Sequence, residues 1–282
     1  MIYYWSHRTE LEVSLNEFYR SISITRQGLH KVINYSMRYQ EELIYIKDLL
    51  EQIREDHPTM SCRAMYYKIN PSMMGRDKFE SLCKELGFYV EVKKKYPRTT
   101  DSSGVIRFPN LLLTTEVTGI NQVWSSDITY YEVNGVYYYI TFIIDHYSRA
   151  IIGHSVSGRL STEQTSIPAM KMALKKRGRQ IEGKQVIFHS DGGGQYYDKN
   201  FLKLTQYYNF KNSMCEFAWE NGKSERINGT IKNNYLRHRS IQTLQDLINE
   251  VDRAVRLYNN ERPHKSLDYK TPFLVEQKLL NL

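Results

Sequence analysis

Three carboxylates are distinguished by the positions that the sequence pattern assigns to them. Asp127 lies within an alternating stretch, Asp191 lies just past the end of a short apolar run, and Glu225 lies near the start of a helical pattern. Carboxylates that converge from three elements repel one another, and divalent cations relieve that repulsion. Oxygen-only ligands favour Mg²⁺ or Mn²⁺ over zinc, and two such ions support phosphoryl transfer without a covalent enzyme intermediate.

Spacing alone does not select these three acids. The chain has 31 Asp and Glu residues, and both Glu132 and Asp145 lie close to Asp127 in the sequence. Asp198 is suited to cap the helix that follows it, which is a structural role. The elements around the acids therefore decide whether the three side chains meet.

Those elements alternate between strand and helix patterns. Period-two alternation or a short apolar run predicts five strands, over 122–133, 136–145, 150–157, 185–189 and 210–214. Helical spacing predicts three helices, over 162–176, 199–208 and 222–237. Three strands followed by helix, strand, helix, strand and helix is the order of a ribonuclease-H-like α/β fold, in which the first and fourth strands are neighbours. We therefore expect a mixed sheet flanked by helices, with the three acids at one place.

Five segments carry a resemblance to a known family. Three of them surround the acids: Val-Trp-Ser-Ser-Asp-Ile-Thr-Tyr, Phe-His-Ser-Asp-Gly-Gly-Gly-Gln-Tyr and Glu-Asn-Gly-Lys-Ser-Glu-Arg-Ile-Asn-Gly-Thr-Ile-Lys. The others are Phe-Ile-Ile-Asp-His-Tyr-Ser-Arg (142–149) and Tyr-Asn-Asn-Glu-Arg-Pro-His-Lys-Ser-Leu-Asp-Tyr-Lys-Thr-Pro (258–272). In this order, over about residues 110–275, they resemble the IS-three family of bacterial insertion-sequence transposases, with its integrase-like core.

The resemblance implies a DNA transposase that cleaves and joins DNA at insertion-sequence ends, with joining of the donor ends into a circle before insertion. It implies that Asp127, Asp191 and Glu225 are the catalytic residues and the ligands of two Mg²⁺ or Mn²⁺ ions. It also implies that Lys232 contacts the DNA end. Lys232 lies seven residues after Glu225, nearly two helical turns, so the two side chains share a helix face.

Other basic residues are further candidates for DNA contact: Lys223 and Arg226 beside the acids, His264 in the C-terminal segment, and Arg26 and Lys31 near the N-terminus. His264 either contacts DNA or braces the fold. Arg26 and Lys31 lie on the second helix (26–36) of a helix-turn-helix pattern, and a similar pattern follows it with a helix predicted over 41–55. Both patterns also suit helices that only pack against each other.

The sequence departs from the family pattern at the rim of the site. Gly192 and Gly194 stand where the family usually has Arg and Ser, and Glu-Asn-Gly at 220–222 replaces Asp-Asn-Ala. The loop 214–221 is two residues shorter than is typical, and its role stays open. The glycine run is interpreted as a flexible rim, because no Lys-Ser/Thr follows it as in a phosphate-cradling loop. For His189, a packed or hydrogen-bonded role is favoured over a catalytic one.

Composition agrees with a polyanionic partner. Lys and Arg outnumber Asp and Glu by 39 to 31, which gives a net charge of +8. The three cysteines form no C-x-x-C pair, and no His-His-Cys-Cys zinc spacing is present. No apolar run is long enough for a membrane span. We expect a cytoplasmic, nucleoid-associated protein.

These patterns predict five regions: a helix-turn-helix (1–38), a second helical DNA-binding unit (39–90), a basic linker (91–120), a ribonuclease-H-like catalytic core (121–240) and a C-terminal helical extension (241–282). The expected partners are double-stranded DNA, as terminal inverted repeats and target DNA, and further copies of the chain, at least as a dimer on DNA. Two alternatives stay open. One is a DNA-binding regulator without catalytic activity, against which the presence of all three acids argues. The other is a nuclease that cuts but does not join.

Overall fold

A computed structural model describes residues 14–90, 108–216 and 218–280 of the chain. The first 13 residues of the predicted helix-turn-helix and most of the predicted linker, 91–107, lie outside the described residues. No helix in the described ranges has the length and apolar character needed to cross a lipid bilayer.

The N-terminal part is helical. Its helices are α1 (Leu15–Ser21), α2 (Arg26–Asp56), α3 (Cys62–Ile69) and α4 (Arg76–Glu85). Thr25 caps α2, as its position in the sequence predicts. The sequence pattern suggested a break near residue 38, but α2 is continuous over 31 residues. No Gly or Pro interrupts residues 29–56, so nothing in the chain stops the helix there.

We call residues 14–90 the helical unit. Its own buried core is built by side chains from α2, α3 and α4, among them Ile46, Leu50, Met65 and Phe79. These apolar side chains are removed from water without help from the sheet described next, so the helical unit has a core of its own.

Residues 123–214 contain a five-stranded mixed sheet. Its strands are β1 (Val123–Val133), β2 (Val136–Asp145), β3 (Ile151–Ser157), β4 (Val186–Ser190) and β5 (Phe210–Met214). The spatial order is β3-β2-β1-β4-β5. Strands β1, β2 and β3 pair antiparallel, while β4 is parallel to both β1 and β5. Asn134 and Gly135 both have positive φ, as a tight hairpin turn requires. The predicted adjacency of the first and fourth strands is confirmed.

Helices cover both faces of this sheet. The helices that follow β3 are α5 (Ser166–Ile181), α6 (Lys199–Tyr207), α7 (Gly222–Asn234), α8 (Leu244–Asn260) and α9 (Pro272–Leu280). Phe142 and Ile144 pack in one core with α7 and α8, whereas Ile143 packs in a second core with α5 and Phe201 of α6. This alternation is the period-two pattern of a strand that is buried on both faces. The predicted fold class, a ribonuclease-H-like mixed sheet flanked by helices, is confirmed.

The C-terminal region holds one helix that the sequence analysis did not predict. Helix α9 begins at Pro272, a position that proline favours because its fixed φ suits the first turn. Glu276 on α9 forms an ion pair with Arg177 on α5 at 2.6 Å, and both side chains are largely buried. The C-terminal extension is thereby fastened to the sheet region.

Candidate active site

The register of β1 and β4 brings two of the predicted acids together. Ser126 pairs with Ser190 at the last paired position of these parallel strands. Asp127 follows Ser126 and Asp191 follows Ser190, so the two acids lie side by side just beyond the paired segment of β1 and β4, at the same edge of the sheet. The adjacency of β1 and β4 therefore explains why residues 64 positions apart lie together.

Helix α7 brings the third acid to the same edge. Glu225 lies in the first turn of α7, and side-chain hydrogen bonds near it fasten α7 to β1. Ser224 Oγ donates to Ser125 Oγ at 3.0 Å, and Asn228 Nδ2 donates to Asp127 Oδ2 at 2.7 Å. Helix α7 thus places Glu225 near the strand that carries Asp127.

The three carboxylates act on one another electrostatically. Burial raises the pKa of Asp127 to about 7, and the charges of Asp191 and Glu225 contribute to the increase. Burial, followed by the charge of Asp191, raises the pKa of Glu225, and burial raises the pKa of Asp191. Negative charge is therefore unfavourable at this edge unless a positive charge balances it.

Charges within this set of three acids raise the pKa values of Asp127 and Glu225, but the three side chains are not arranged as a metal-binding site. Among residues 14–90, 108–216 and 218–280, no group of three or more His, Cys, Asp or Glu side chains has the geometry to hold a metal ion. The donor chemistry nevertheless fits a hard divalent cation, because all the donors are carboxylate oxygens. The raised pKa of Asp127 shows in addition that its negative charge is unfavourable unless a positive charge balances it.

Hydrogen bonds behind the acids hold the strand ends in place. Ser126 Oγ donates to the carbonyl of Phe142 at 2.9 Å and lies 2.8 Å from the hydroxyl of Tyr196. Asn221 Nδ2 donates to the carbonyl of Ser126 at 3.0 Å. These groups are buried, so the backbone that carries Asp127 has little freedom to move.

The glycine run after Asp191 is hydrogen-bonded. The backbone N–H of Gly193 donates to Asp191 Oδ1 at 3.1 Å, and the hydroxyl of Tyr197 donates to the carbonyl of Gly192. A Cβ on Gly192 would lie 2.9 Å from Met214 Cε, the end of a flexible side chain on β5 that can move aside. These contacts give the run a structural role, while its predicted flexibility stays a prediction.

Of the predicted basic residues, three lie on α7. Lys232 Nζ donates to the carbonyl of Tyr130 at 3.4 Å and lies 5.3 Å from the centre of its ring. Lys223 Nζ donates to the carbonyl of His146 at 3.1 Å, and burial lowers its pKa to about 8. Arg226 is exposed. Lys232 therefore lies beside β1, whereas Lys223 faces the loop after β2.

The remaining predicted site residues have different surroundings. His264 is half-buried, its Nε2 lies 3.3 Å from the carbonyl oxygen of Tyr258, and its ring is 4.5 Å from that of Tyr258. These contacts support the bracing role, and DNA contact by His264 stays a prediction. His189 is buried with Nδ1 2.9 Å from Ser213 Oγ, which agrees with the predicted packed role. Arg26 and Lys31 are exposed on the first turns of α2.

Sequence reasoning missed two groups that hold the site. Asn228 lies one helical turn after Glu225, and the i, i+3 spacing on α7 could have indicated that it faces the same strand. Tyr196 gave no such signal, because its contact with Ser126 depends on how the loop after β4 folds back over β1.

Family models and relatives of known sequence match much of the chain. Two family models, both described as Integrase core domain, match residues 118–218 and 209–272. The insertion element IS600 uncharacterized 31 kDa protein of Shigella sonnei is 31% identical over 214 residues, covering 74% of this chain and 77% of that protein. Transposase InsF for insertion sequence IS3A of Escherichia coli is 40% identical over 96 residues, covering 34% of this chain and 32% of that protein.

Two solved structures are similar to part of the chain. The HTLV-2 integrase catalytic core domain in complex with magnesium is 23% identical, with 55% of this chain and 95% of that chain covered and a TM-score of 0.44. The BIV integrase catalytic core domain is 16% identical, with 57% and 97% covered and a TM-score of 0.42.

The integrase-type core and the matching family models define the class of protein, which is a polynucleotidyl transferase of the DDE type. Within that class, the identity to the IS600 protein over three quarters of each chain identifies the family. The chain belongs to the IS3 family of insertion-sequence transposases, as the motifs predicted.

Proposed function

We propose that this protein cleaves and rejoins DNA at the ends of an insertion sequence, with Asp127, Asp191 and Glu225 as its catalytic residues and metal ligands. The observation that carries the proposal is the register of β1 and β4, which brings Asp127 and Asp191 side by side. The charges of Asp191 and Glu225, which raise the pKa of Asp127, and the charge of Asp191, which raises the pKa of Glu225, support it further.

The three carboxylates would hold two Mg²⁺ or Mn²⁺ ions. When bound, such a pair activates an attacking oxygen and stabilises a leaving one. Asn228 orients one oxygen of Asp127, and the hydrogen bond from Gly193 orients Asp191. Fixed orientation matters because small displacements of reacting groups slow a reaction strongly.

Two displacements follow at the same site. In the first, water attacks a phosphorus at the end of the element, the bond to the 3′-oxygen breaks, and a 3′-hydroxyl and a 5′-phosphate result. In the second, that 3′-hydroxyl attacks a phosphorus in another strand, one phosphodiester forms, and another breaks. Lys232, which lies beside β1, would bind a phosphate of the DNA end, together with Arg226 and Lys223 on the same helix.

The helical unit would recognise terminal inverted repeats. Basic side chains there, including Arg26 and Lys31, supply phosphate contacts, and groove contacts supply sequence recognition. Two DNA ends must meet for joining, so we expect at least a dimer on DNA, acting on the nucleoid in the cytoplasm.

A strand-transfer assay tests the proposal. The substrate is a labelled duplex that carries the DNA flanking the coding region, incubated with the purified protein and Mg²⁺ or Mn²⁺. We expect nicked and joined products from the wild type and only background from Asp191→Asn. Asp198→Asn is the matched control, because Asp198 caps α6 by accepting from the Asn200 N–H at 2.8 Å.

The alternatives give different results in the same assay. Nicked product without joined product would identify a nuclease. Binding of the duplex with neither product would identify a regulator.

A further inference from the structure

The helical unit meets the rest of the chain at a junction that we define as His57, Lys68, Tyr235 and Glu261, of which His57 and Tyr235 are buried and the other two are partly exposed. His57 Nδ1 lies 3.0 Å from the hydroxyl of Tyr235. Lys68 Nζ lies 3.2 Å from Glu261 Oε2 and also donates to the backbone carbonyl of Glu261 at 3.4 Å. The junction therefore joins the helical unit to two segments that lie more than 160 residues further along the chain.

Each side of the junction has a defined place in the fold. Tyr235 directly follows α7, the helix that carries Glu225 and Lys232. Glu261 directly follows α8 and belongs to the C-terminal motif. His57 and Tyr235 are almost completely buried, which shows that the helical unit covers the end of the catalytic helix.

Further contacts surround the junction. The rings of Tyr67 on α3 and Tyr269 in the motif stack at 4.1 Å, with 15° between their planes. Arg253 on α8 forms an ion pair with Asp56 at 2.5 Å. The helical unit is thus held to the rest of the chain by contacts of three kinds: ring stacking, ion pairs and a buried hydrogen bond.

The C-terminal motif faces inward at this place. Glu261 and Tyr269 contact the helical unit, Arg262 lies 5.8 Å from the centre of the Tyr235 ring, and His264 packs on Tyr258. These side chains are therefore occupied by contacts within the chain. The family resemblance identified the motif but did not indicate that its side chains contact the helical unit.

We propose that the segment 258–270 is a docking platform that fixes the helical unit on the end of α7. DNA bound by the helical unit then reaches Asp127, Asp191 and Glu225 in one set orientation. This inference rests on the proposed function, because it requires that the helical unit binds the DNA whose ends are cut. Lys68 and Glu261 are positioning residues in this account, since they act through α7 and touch no reacting atom.

Charge reversal at the ion pair separates docking from folding. Each part has its own buried core, so Lys68→Glu or Glu261→Lys loosens the contact without exposing either core. We expect each single variant to join terminal DNA about tenfold more slowly, because misplaced reacting groups lose most of the benefit of proximity. Affinity for the same duplex should stay within about twofold, because the changed residue is not a proposed phosphate contact and a single partly exposed charge contributes little.

The double variant Lys68→Glu with Glu261→Lys restores the ion pair with its charges exchanged. We expect it to recover most of the lost joining rate. Lys171→Glu is the matched control, since it makes the same charge change at an exposed position of α5, outside the junction and outside the helical unit that is proposed to bind DNA. It should join at the wild-type rate.

The outcomes are distinguishable. Single variants that join as fast as the wild type overturn the docking platform, and so does a double variant that is as slow as the single ones. A wild-type protein that fails to join terminal DNA overturns the proposed function instead.

Discussion

The hydrogen bond from Asn228 to Asp127 provides a sharp test of the site. Asn228 is buried, and its Nδ2 donates to Asp127 Oδ2 at 2.7 Å. Replacing Asn228 by alanine removes the donor and leaves the carboxylate oxygen free to turn. A hydrogen bond to a charged group contributes about 1.5–3 kcal/mol. That range corresponds to a joining rate lowered roughly 10- to 150-fold, at about 1.4 kcal/mol per factor of ten.

The same change has a predicted effect on pH dependence. The Asn228 hydrogen bond lowers the pKa of Asp127, against the larger increase from burial. Asn228→Ala should therefore raise the pKa of Asp127, so protons compete with the cation up to a higher pH. We expect the acidic limb of the joining rate to move to higher pH, and we expect more Mg²⁺ to be needed at a given pH.

Single-turnover joining, measured against pH and Mg²⁺ concentration, checks both expectations. Asn233→Ala is the matched control, because it removes the same side chain from α7 at a position without a contact to the acids. The reasoning would be refuted if Asn228→Ala joined at the wild-type rate with an unchanged pH limb and Mg²⁺ requirement.

Three other predictions concern stability and metal dependence. Burial lowers the pKa of His57 to about 3 in the folded protein. Below about pH 6.5 the unfolded chain binds a proton at His57 that the folded protein does not bind. The contribution of His57 to the free energy of unfolding is therefore complete above that pH and is lost progressively towards pH 3. Between pH 7.5 and pH 5, the free energy of urea unfolding of the wild type should fall by about 2 kcal/mol more than that of His57→Gln. His146, His189 and His264, whose pKa values burial also lowers, reduce the stability of both proteins over this range, and equal losses in both proteins would contradict the prediction. A Cβ on Gly153 would lie 2.2 Å from the carbonyl oxygen of Ala169, so Gly153→Ala should cost about 1–3 kcal/mol in thermal unfolding. Gly178→Ala, with nothing within 4 Å, should not destabilise the protein, and equal melting temperatures for the two variants would argue against a tight β3–α5 contact. Chelation with EDTA should abolish joining and added Mg²⁺ should restore it; joining that persists in EDTA would argue against metal-dependent chemistry.

Local sequence signals were sufficient for most of the elements. Alternation along β1 and β2 and the Asn134-Gly135 turn predicted the hairpin, because side chains on a strand alternate between faces and the turn needs positive φ. The order of strands and helices predicted that β1 and β4 are neighbours. The motif around each acid identified Asp127, Asp191 and Glu225 as the candidates to test.

Local signals failed where neighbouring patterns were ambiguous. Two helices were predicted where α2 is one, because a short polar stretch resembles a break unless Gly or Pro enforces it. Helix α9 was not predicted, since its stability depends on contacts such as Glu276 with Arg177 rather than on propensity.

The sequence by itself determined the strands, the three candidate acids and the family to which the chain belongs. Only the tertiary structure decided that Asn228 and Tyr196 hold the strand that carries Asp127, and that Glu261 and Tyr269 face the helical unit. The physical reason is that periodicity reports which face of an element is buried but not which residue lies opposite it. A polar side chain acquires its role from that partner, which register, crossing angle and loop path select together.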